Sequence, residues 1–133
     1  MSQLISIAGE LATLCSGFAS AEVRFVPDYQ LGETDFASKI YVVPNGSGRS
    51  IDTRADSVTE YMFEIGLLRW VTSESDIQAN VATLESIAEA LLGEELSGSY
   101  VSKVDTKLLY SVEAVAKRKQ YVGVLAVTVR DLS

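Results

Sequence analysis

The sequence predicts one α+β domain, in which a mixed or mainly antiparallel sheet carries two helices on one face, in the order α-β-β-β-α-β-β. Three stretches lead to this fold class. Residues 57–71 alternate so that one face is nearly all apolar, as in a long half-buried strand. Residues 76–92 place apolar side chains three and four positions apart, and residues 121–130 alternate again. The helical stripe needs a sheet to cover it, which gives the fold its two layers.

Composition and charge narrow the classes of function. The 133 residues are 47% hydrophobic, which is enough for one core. The net charge of −7 argues against a surface that wraps nucleic acid or an anionic membrane, because both are bound through Lys and Arg. The charge is compatible with a basic protein partner, or with a surface that DNA passes without sticking.

The numbers of cysteine and histidine residues argue against a disulfide-bonded or metal-binding protein. The single cysteine, Cys15, cannot form an internal disulfide, so a reducing cytoplasm is the expected setting. With one cysteine and no histidine, no metal site and no cofactor is expected. Residues 4–18 are apolar, but no basic segment precedes them and Glu10 interrupts them, so they predict a helix and not a signal peptide. No run approaches the roughly 18 apolar residues of a membrane span.

The first third of the chain predicts one helix and two short strands. Residues 2–20 form the helix by their apolar spacing, with Cys15 as a small buried side chain. Residues 22–27 form a strand that ends at Pro27, residues 28–38 form a connection, and residues 39–43 form a second strand that stops at Pro44.

A Gly- and Ser-rich run follows, and we predict a flexible loop at about residues 44–56. It lacks the Gly-Lys-Ser/Thr ending of a phosphate-binding loop, so we do not expect nucleotide binding. It joins two strands that pair antiparallel, so it projects beyond the sheet. Its candidate contact residues are Asn45, Arg49, Arg54 and Asp56.

The second helix, over residues 76–92, has clear ends and an acidic surface. Ser73 or Ser75 is the expected N-cap, and Gly93 ends the helix. No Lys or Arg occurs from residue 73 to 102, so Glu85, Glu89, Glu94 and Glu95 form an acidic face. This face is either simply solvated, or a docking surface or wall that faces DNA.

The end of the chain predicts a hairpin with a basic tip. Residues 104–116 form one strand and residues 121–130 the closing strand, which is apolar on both faces and therefore needs cover on both. The tip carries Lys117, Arg118 and Lys119. A small nucleic-acid contact is one interpretation; because the chain as a whole is acidic, we favour an intersubunit or partner contact with the acidic helix face of a neighbour.

The sequence offers few residues that could act in catalysis. Histidine, the commonest general base, is missing. Glu60 and Glu64 share a strand face, but simple exposure explains them, and no serine lies in a Gly-x-Ser-x-Gly elbow. We therefore expect a protein that is not an enzyme.

The predicted order of helices and strands resembles that of the tail-terminator and tail-completion (neck, head-tail joining) proteins of long-tailed bacteriophages. The resemblance is carried by the element order, by Val42-Val43-Pro44 before the loop, and by the apolar closing strand from Tyr121 to Val129. It implies a virion structural protein made in the host cytoplasm and placed in the neck. As a hexameric ring it would contact the tail tube protein and a head-side connector protein, stop tail polymerisation, and let double-stranded DNA pass through the lumen without specific binding.

Two alternatives stay open at this point. The first is another neck component, such as a head-completion or stopper protein. The second is a small-ligand-binding or catalytic α+β domain with its pocket between sheet and helices. A pocket lined by convergent polar groups would favour the second, whereas large exposed apolar patches would favour the ring.

Overall fold

The computed structural model describes residues 3–25, 38–51, 57–96 and 98–131; within these ranges the side chains of residues 3, 48–51, 57, 58 and 118 are not described. The helices and strands are, in chain order, α1 (Gln3–Cys15), β1 (Ser20–Val23), β2 (Lys39–Ile51), β3 (Ser57–Trp70), α2 (Glu74–Leu91), β4 (Glu95–Leu96), β5 (Ser99–Leu108), α3 (Val112–Arg118) and β6 (Gln120–Asp131).

One mixed sheet contains all six strands, in the order β1-β2-β3-β6-β5-β4. β1 pairs with β2 in parallel, and every other neighbouring pair is antiparallel. The long strands β3 and β6 lie at the centre and pair from Thr59–Asp131 to Trp70–Gln120. The predicted α+β fold with a mixed sheet is confirmed.

The main core lies between one face of the sheet and the helices α1 and α2. β3 directs Phe63, Ile65 and Leu67 into this core, as its alternation predicts. α1 contributes Ile7 and Leu11, and α2 contributes the buried side chains Leu84, Ile87 and Leu91. Both predicted helices therefore pack on the same face. No helix in the described part of the chain is long and apolar enough to cross a membrane.

A third helix, α3, was not predicted. The strand predicted over residues 104–116 ends at Leu108, so the Lys117–Lys119 segment is the end of a helix and not the tip of a tight hairpin. The Ser111 side chain accepts a hydrogen bond from Ala114 N at 3.1 Å and caps α3. Ala114 then joins a second, smaller core on the opposite sheet face, formed by Tyr41, Val43, Leu68, Ala114, Val122 and Val124. The expected cover on both faces of β6 is confirmed in this way.

The predicted flexible loop at 44–56 is wrong for residues 44–51, which continue β2. Pairing with β3 extends from Lys39–Leu68 to Ile51–Ser57 and passes a register shift between Pro44 and Gly46. Pro44 has no N–H to donate, and a bulge is one of the few places where a strand tolerates it. The remaining loop residues, 52–56, lie outside the described residues.

The ends of the other elements differ by a few residues. α1 stops at Cys15, five residues before the predicted end, and a turn follows in which Phe18 N donates to Cys15 O at 2.9 Å. β1 covers residues 20–23, whereas a strand was predicted over residues 22–27, of which 26 and 27 lie outside the described residues. α2 begins after the N-cap residue Ser73, one of the two predicted caps, and Gly93 takes the left-handed conformation with φ of 81°.

Candidate functional site

The basic residues lie at the end of α3 and beside the start of α2. Lys117 and Lys119 are exposed, and Lys117 Nζ lies 3.5 Å from Glu113 Oε1, one helical turn away. Lys119 adopts a left-handed conformation, with φ of 53°, and ends the helix. Its carbonyl accepts a hydrogen bond from Val71 N at 2.9 Å, which fixes it next to the strand that leads into α2. Arg118 is the last residue of α3. We call this region the basic end.

The acidic residues lie at the other end of α2. Glu85 and Glu89 are exposed and one turn apart, while Glu94 and Glu95 follow the helix, Glu94 half-buried and Glu95 exposed in β4. The Glu94 carbonyl accepts from Val101 N at 2.9 Å, which attaches this segment to β5. Glu94 and Glu95 form the acidic end, and Glu85 and Glu89 lie along α2 before it.

The sheet holds the two ends far apart. Lys119 directly precedes Gln120, the first residue of β6, whereas the acidic end is bonded to Val101, which pairs with Val129 near the end of β6. Nine residues of β6 separate these levels, a distance of about 30 Å at roughly 3.3 Å per residue. Glu94 and Glu95 therefore lie too far from Lys119 to neutralise it within one molecule.

The candidate loop residues fall at the level of the acidic end. Asn45 is exposed at the bulge of β2, and the backbone of Arg49 pairs with Thr59, which in turn pairs with Asp131 at the end of β6. Arg54 and Asp56 lie outside the described residues. The structure therefore separates the predicted contacts into the basic end on one side and the loop and acidic end on the other.

An exposed apolar segment beside the basic end was missed by the sequence analysis. Leu108, Leu109, Tyr110 and Val112 are 37%, 44%, 39% and 68% exposed, and we call them the apolar shoulder. Its backbone is fixed, because Tyr121 Oη donates to Leu109 O at 2.6 Å. The available signal was the consecutive run Leu108-Leu109-Tyr110, which breaks the alternation of a strand.

A surface trough connects the apolar shoulder to the first half of α2. One part has a volume of about 390 Å³ and is lined by Glu74, Ile77, Gln78, Val81 and Tyr110. The other part, of about 320 Å³, is lined by Val71, Thr72, Ser73, Glu74, Ile77, Val115 and Lys119. Glu74 and Ile77 line both parts, so we describe the two together as the trough.

The groups with shifted pKa values are spread over the molecule and do not converge on one site. Burial raises the pKa of the Cys15 thiol to about 12. Burial, with a smaller contribution from the charge of Glu85, raises the pKa of Tyr121 to about 12. Hydrogen bonds from Thr72 lower the pKa of Asp76 at the start of α2. Among the described residues, no group of three or more metal-binding side chains is placed to hold an ion.

Comparison with known proteins shows similarity to solved structures only. No family model matches the chain, and no curated protein matches it. A chain from a solved structure described as the virion of a native gene transfer agent particle is similar, with a TM-score of 0.49 and 14% sequence identity over 97% of this chain and 93% of the other. A likeness at this level does not assign a function to this chain.

Proposed function

We propose that the protein is a virion structural protein of a bacteriophage neck, and specifically a tail terminator. It assembles as a ring on the end of the tail tube, stops tube polymerisation, and joins the tail to a head-side connector protein. It acts through its contacts and not by catalysis. The resemblance of its element order to this family motivates the proposal.

The observation that carries the proposal is the placement of opposite charges at opposite ends of one rigid sheet. Head-to-tail association of copies brings the basic end of one copy against the acidic end of the next. Such an interface is heterologous, because two different patches are paired, and it closes into a ring when the rotation between copies permits. The exposed apolar shoulder beside the basic end provides surface that a neighbour would cover.

The acidic excess fits the passage of DNA through such a ring. With a net charge of −7, a lumen surface repels phosphates more than it retains them. Glu85 and Glu89 are exposed and project from α2 without a basic residue nearby in the sequence, so they are the lumen candidates. Glu94 and Glu95, at the end of the molecule, are the contact candidates.

The first experiment measures the mass of the protein by light scattering across a concentration series, with negative-stain images of any large species. A closed ring near six copies is expected, alone or on the ends of tail tubes assembled from a phage tail tube protein. A protein that stays monomeric and binds no tube end would refute the proposal. Binding to a head-side connector without binding to tube ends would instead favour a head-completion or stopper protein.

Charge reversal tests the head-to-tail contact. Lys117→Glu with Lys119→Glu makes both ends acidic, and Glu94→Lys with Glu95→Lys makes both ends basic. Each variant alone should fail to assemble while remaining folded. An equimolar mixture should assemble with alternating copies, and the chain that carries all four changes should assemble by itself. Unchanged assembly of the first two variants would remove this contact from the proposal.

A further inference from the structure

We infer that Leu92 of one copy of this chain seats in the trough of the next copy, between the acidic end of the first and the basic end of the second. The inference rests on the head-to-tail contact proposed above and names the side chains that form it. The occupant of the trough is therefore a second copy, and in particular its Leu92–Glu95 turn.

Leu92 is displayed in a fixed position at the acidic end. It is 58% exposed, although it follows directly on the buried Leu91. Its own N–H donates to Ala88 O at 3.1 Å, and the next residue, Gly93, donates to Val101 O at 2.9 Å. Gly93 has a φ of 81°, which a residue with a side chain rarely adopts, and the two hydrogen bonds hold the turn in place. Leu92 is thus a rigid apolar projection followed immediately by Glu94 and Glu95.

The trough has the complementary features. Its floor is apolar, from Ile77 and Val81 of α2 and Tyr110 of the shoulder, and its larger part has a volume of about 390 Å³. Lys119 lines the other part. Glu74 lines both parts, so charge favours the orientation in which Glu94 and Glu95 lie toward Lys119 and away from Glu74.

Leu92 cannot fill the trough of its own molecule. Gln78, on the wall of the trough, and Leu92 are 14 residues apart along α2 and its C-cap. At 1.5 Å per residue their backbones are about 21 Å apart. An apolar projection beside Glu94 and Glu95 therefore lies at one end of the molecule, and an apolar trough whose lining includes Lys119 as well as Glu74 lies near the other. Head-to-tail copies can pair these two features.

Disulfide trapping between copies tests this contact. Two single variants, Leu92→Cys and Gln78→Cys, are mixed and oxidised, and the products are separated on non-reducing gels. A bridge needs Cα atoms within about 7 Å, so the two positions cannot bridge inside one chain. The native Cys15 is buried and does not compete. The expected result is a covalent dimer in the mixture, at several times the amount in either variant alone.

The matched control is Ala79→Cys, an exposed position one residue further along α2 and about 100° around the helix, on the flank away from the trough. Mixed with Leu92→Cys it should give only background dimer. Equal trapping at positions 78 and 79, or none at position 78, would overturn the inference.

Substitution of Leu92 gives a second measurement. Leu92→Arg should raise the concentration needed for assembly at least tenfold and leave the unfolding midpoint of the monomer unchanged, because the side chain is already exposed. Ile5→Arg, at a side chain 47% exposed on α1, is the control and should assemble normally. Assembly that depends on the charge-reversal pairs but not on Leu92 overturns this inference and leaves the proposed function standing. A chain that neither assembles nor binds tube ends overturns both.

Discussion

Substitution of Gly123 by alanine tests how the core holds the apolar shoulder. Gly123 lies in β6 beneath the ring of Tyr121, and a Cβ at this position would lie 2.6 Å from Tyr121 Oη and 2.9 Å from Leu84 Cδ2. Both distances are shorter than carbon contacts allow. The Tyr121 ring cannot move away without loss, because its hydroxyl donates to Leu109 O at 2.6 Å.

The expected effect is a loss of about 2–4 kcal/mol in the free energy of unfolding. Forcing an extra methyl group into a packed core costs about 1–3 kcal/mol. If the ring swings aside, the hydrogen bond to Leu109 is lost as well, at about 1 kcal/mol. For a chain of this length, roughly 4 °C per kcal/mol converts the total into a fall of about 8–16 °C in Tm.

Urea denaturation followed by far-UV circular dichroism measures the effect. The matched control is Gly9→Ala in α1, where a new Cβ meets nothing within 4 Å; it should stabilise the protein by about 0.5–1 kcal/mol, because alanine loses less entropy in a helix. Tyr121→Phe removes the atom that the new methyl group approaches most closely, so the double variant should be less destabilised than the sum of the two single variants. A Gly123→Ala protein within 0.5 kcal/mol of the parent would refute the reasoning.

Three further predictions concern hydrogen bonds and burial elsewhere in the fold. Thr72 N and Oγ1 both donate to Asp76 Oδ2 at 2.8 Å and lower its pKa from the ordinary value of 3.8. These hydrogen bonds contribute their full free energy of stabilisation above the ordinary pKa of Asp76, and that contribution is lost as the pH falls through the lower native pKa. The free energy of unfolding of Asp76→Asn should therefore fall less steeply at acid pH than that of the parent. Cys15, with a pKa of about 12, should react with a thiol reagent at pH 8 only in denaturant, and reaction in the native state would contradict its burial. Arg69 Nη1 donates to Asn80 Oδ1 at 3.1 Å, so Asn80→Ala should lower the unfolding free energy by about 1–3 kcal/mol in the same urea assay.

The parts of the fold that the sequence predicted are the long and strongly periodic ones. β3 and β6 keep their alternation over more than ten residues, and α2 keeps its apolar stripe over four turns, so local pattern and final burial agree. Val122 and Val124 lie opposite Tyr121 and Leu125 across the sheet, and this two-sided apolar pattern correctly required cover on both faces.

The elements that the sequence analysis missed are those in which a specific interaction, and not the local composition, determines the secondary structure. Residues 44–51 are rich in Gly and Ser and indicate a loop, but the neighbouring β3 supplies a strand for them to pair with, which composition does not show. α3 was missed because Val112 and Ala114, two positions apart, have the spacing of a strand face. The Ser111 cap and the Glu113–Lys117 pair decide in favour of the helix.

The charged residues of the candidate site were visible in the sequence, but their distance from each other was not. Only 24 residues separate Glu95 from Lys119, and a chain of that length can return to its starting point. Here β5 runs the whole way from the acidic end to the apolar shoulder, and ten residues of strand cover about 33 Å. α3 and the left-handed Lys119 then turn the chain into β6 without carrying it back. The length of β5 therefore places the acidic and the basic residues at opposite ends of the molecule. A shortened β5–β6 pair should bring the two ends toward each other and weaken association between copies, even if every charged residue is kept.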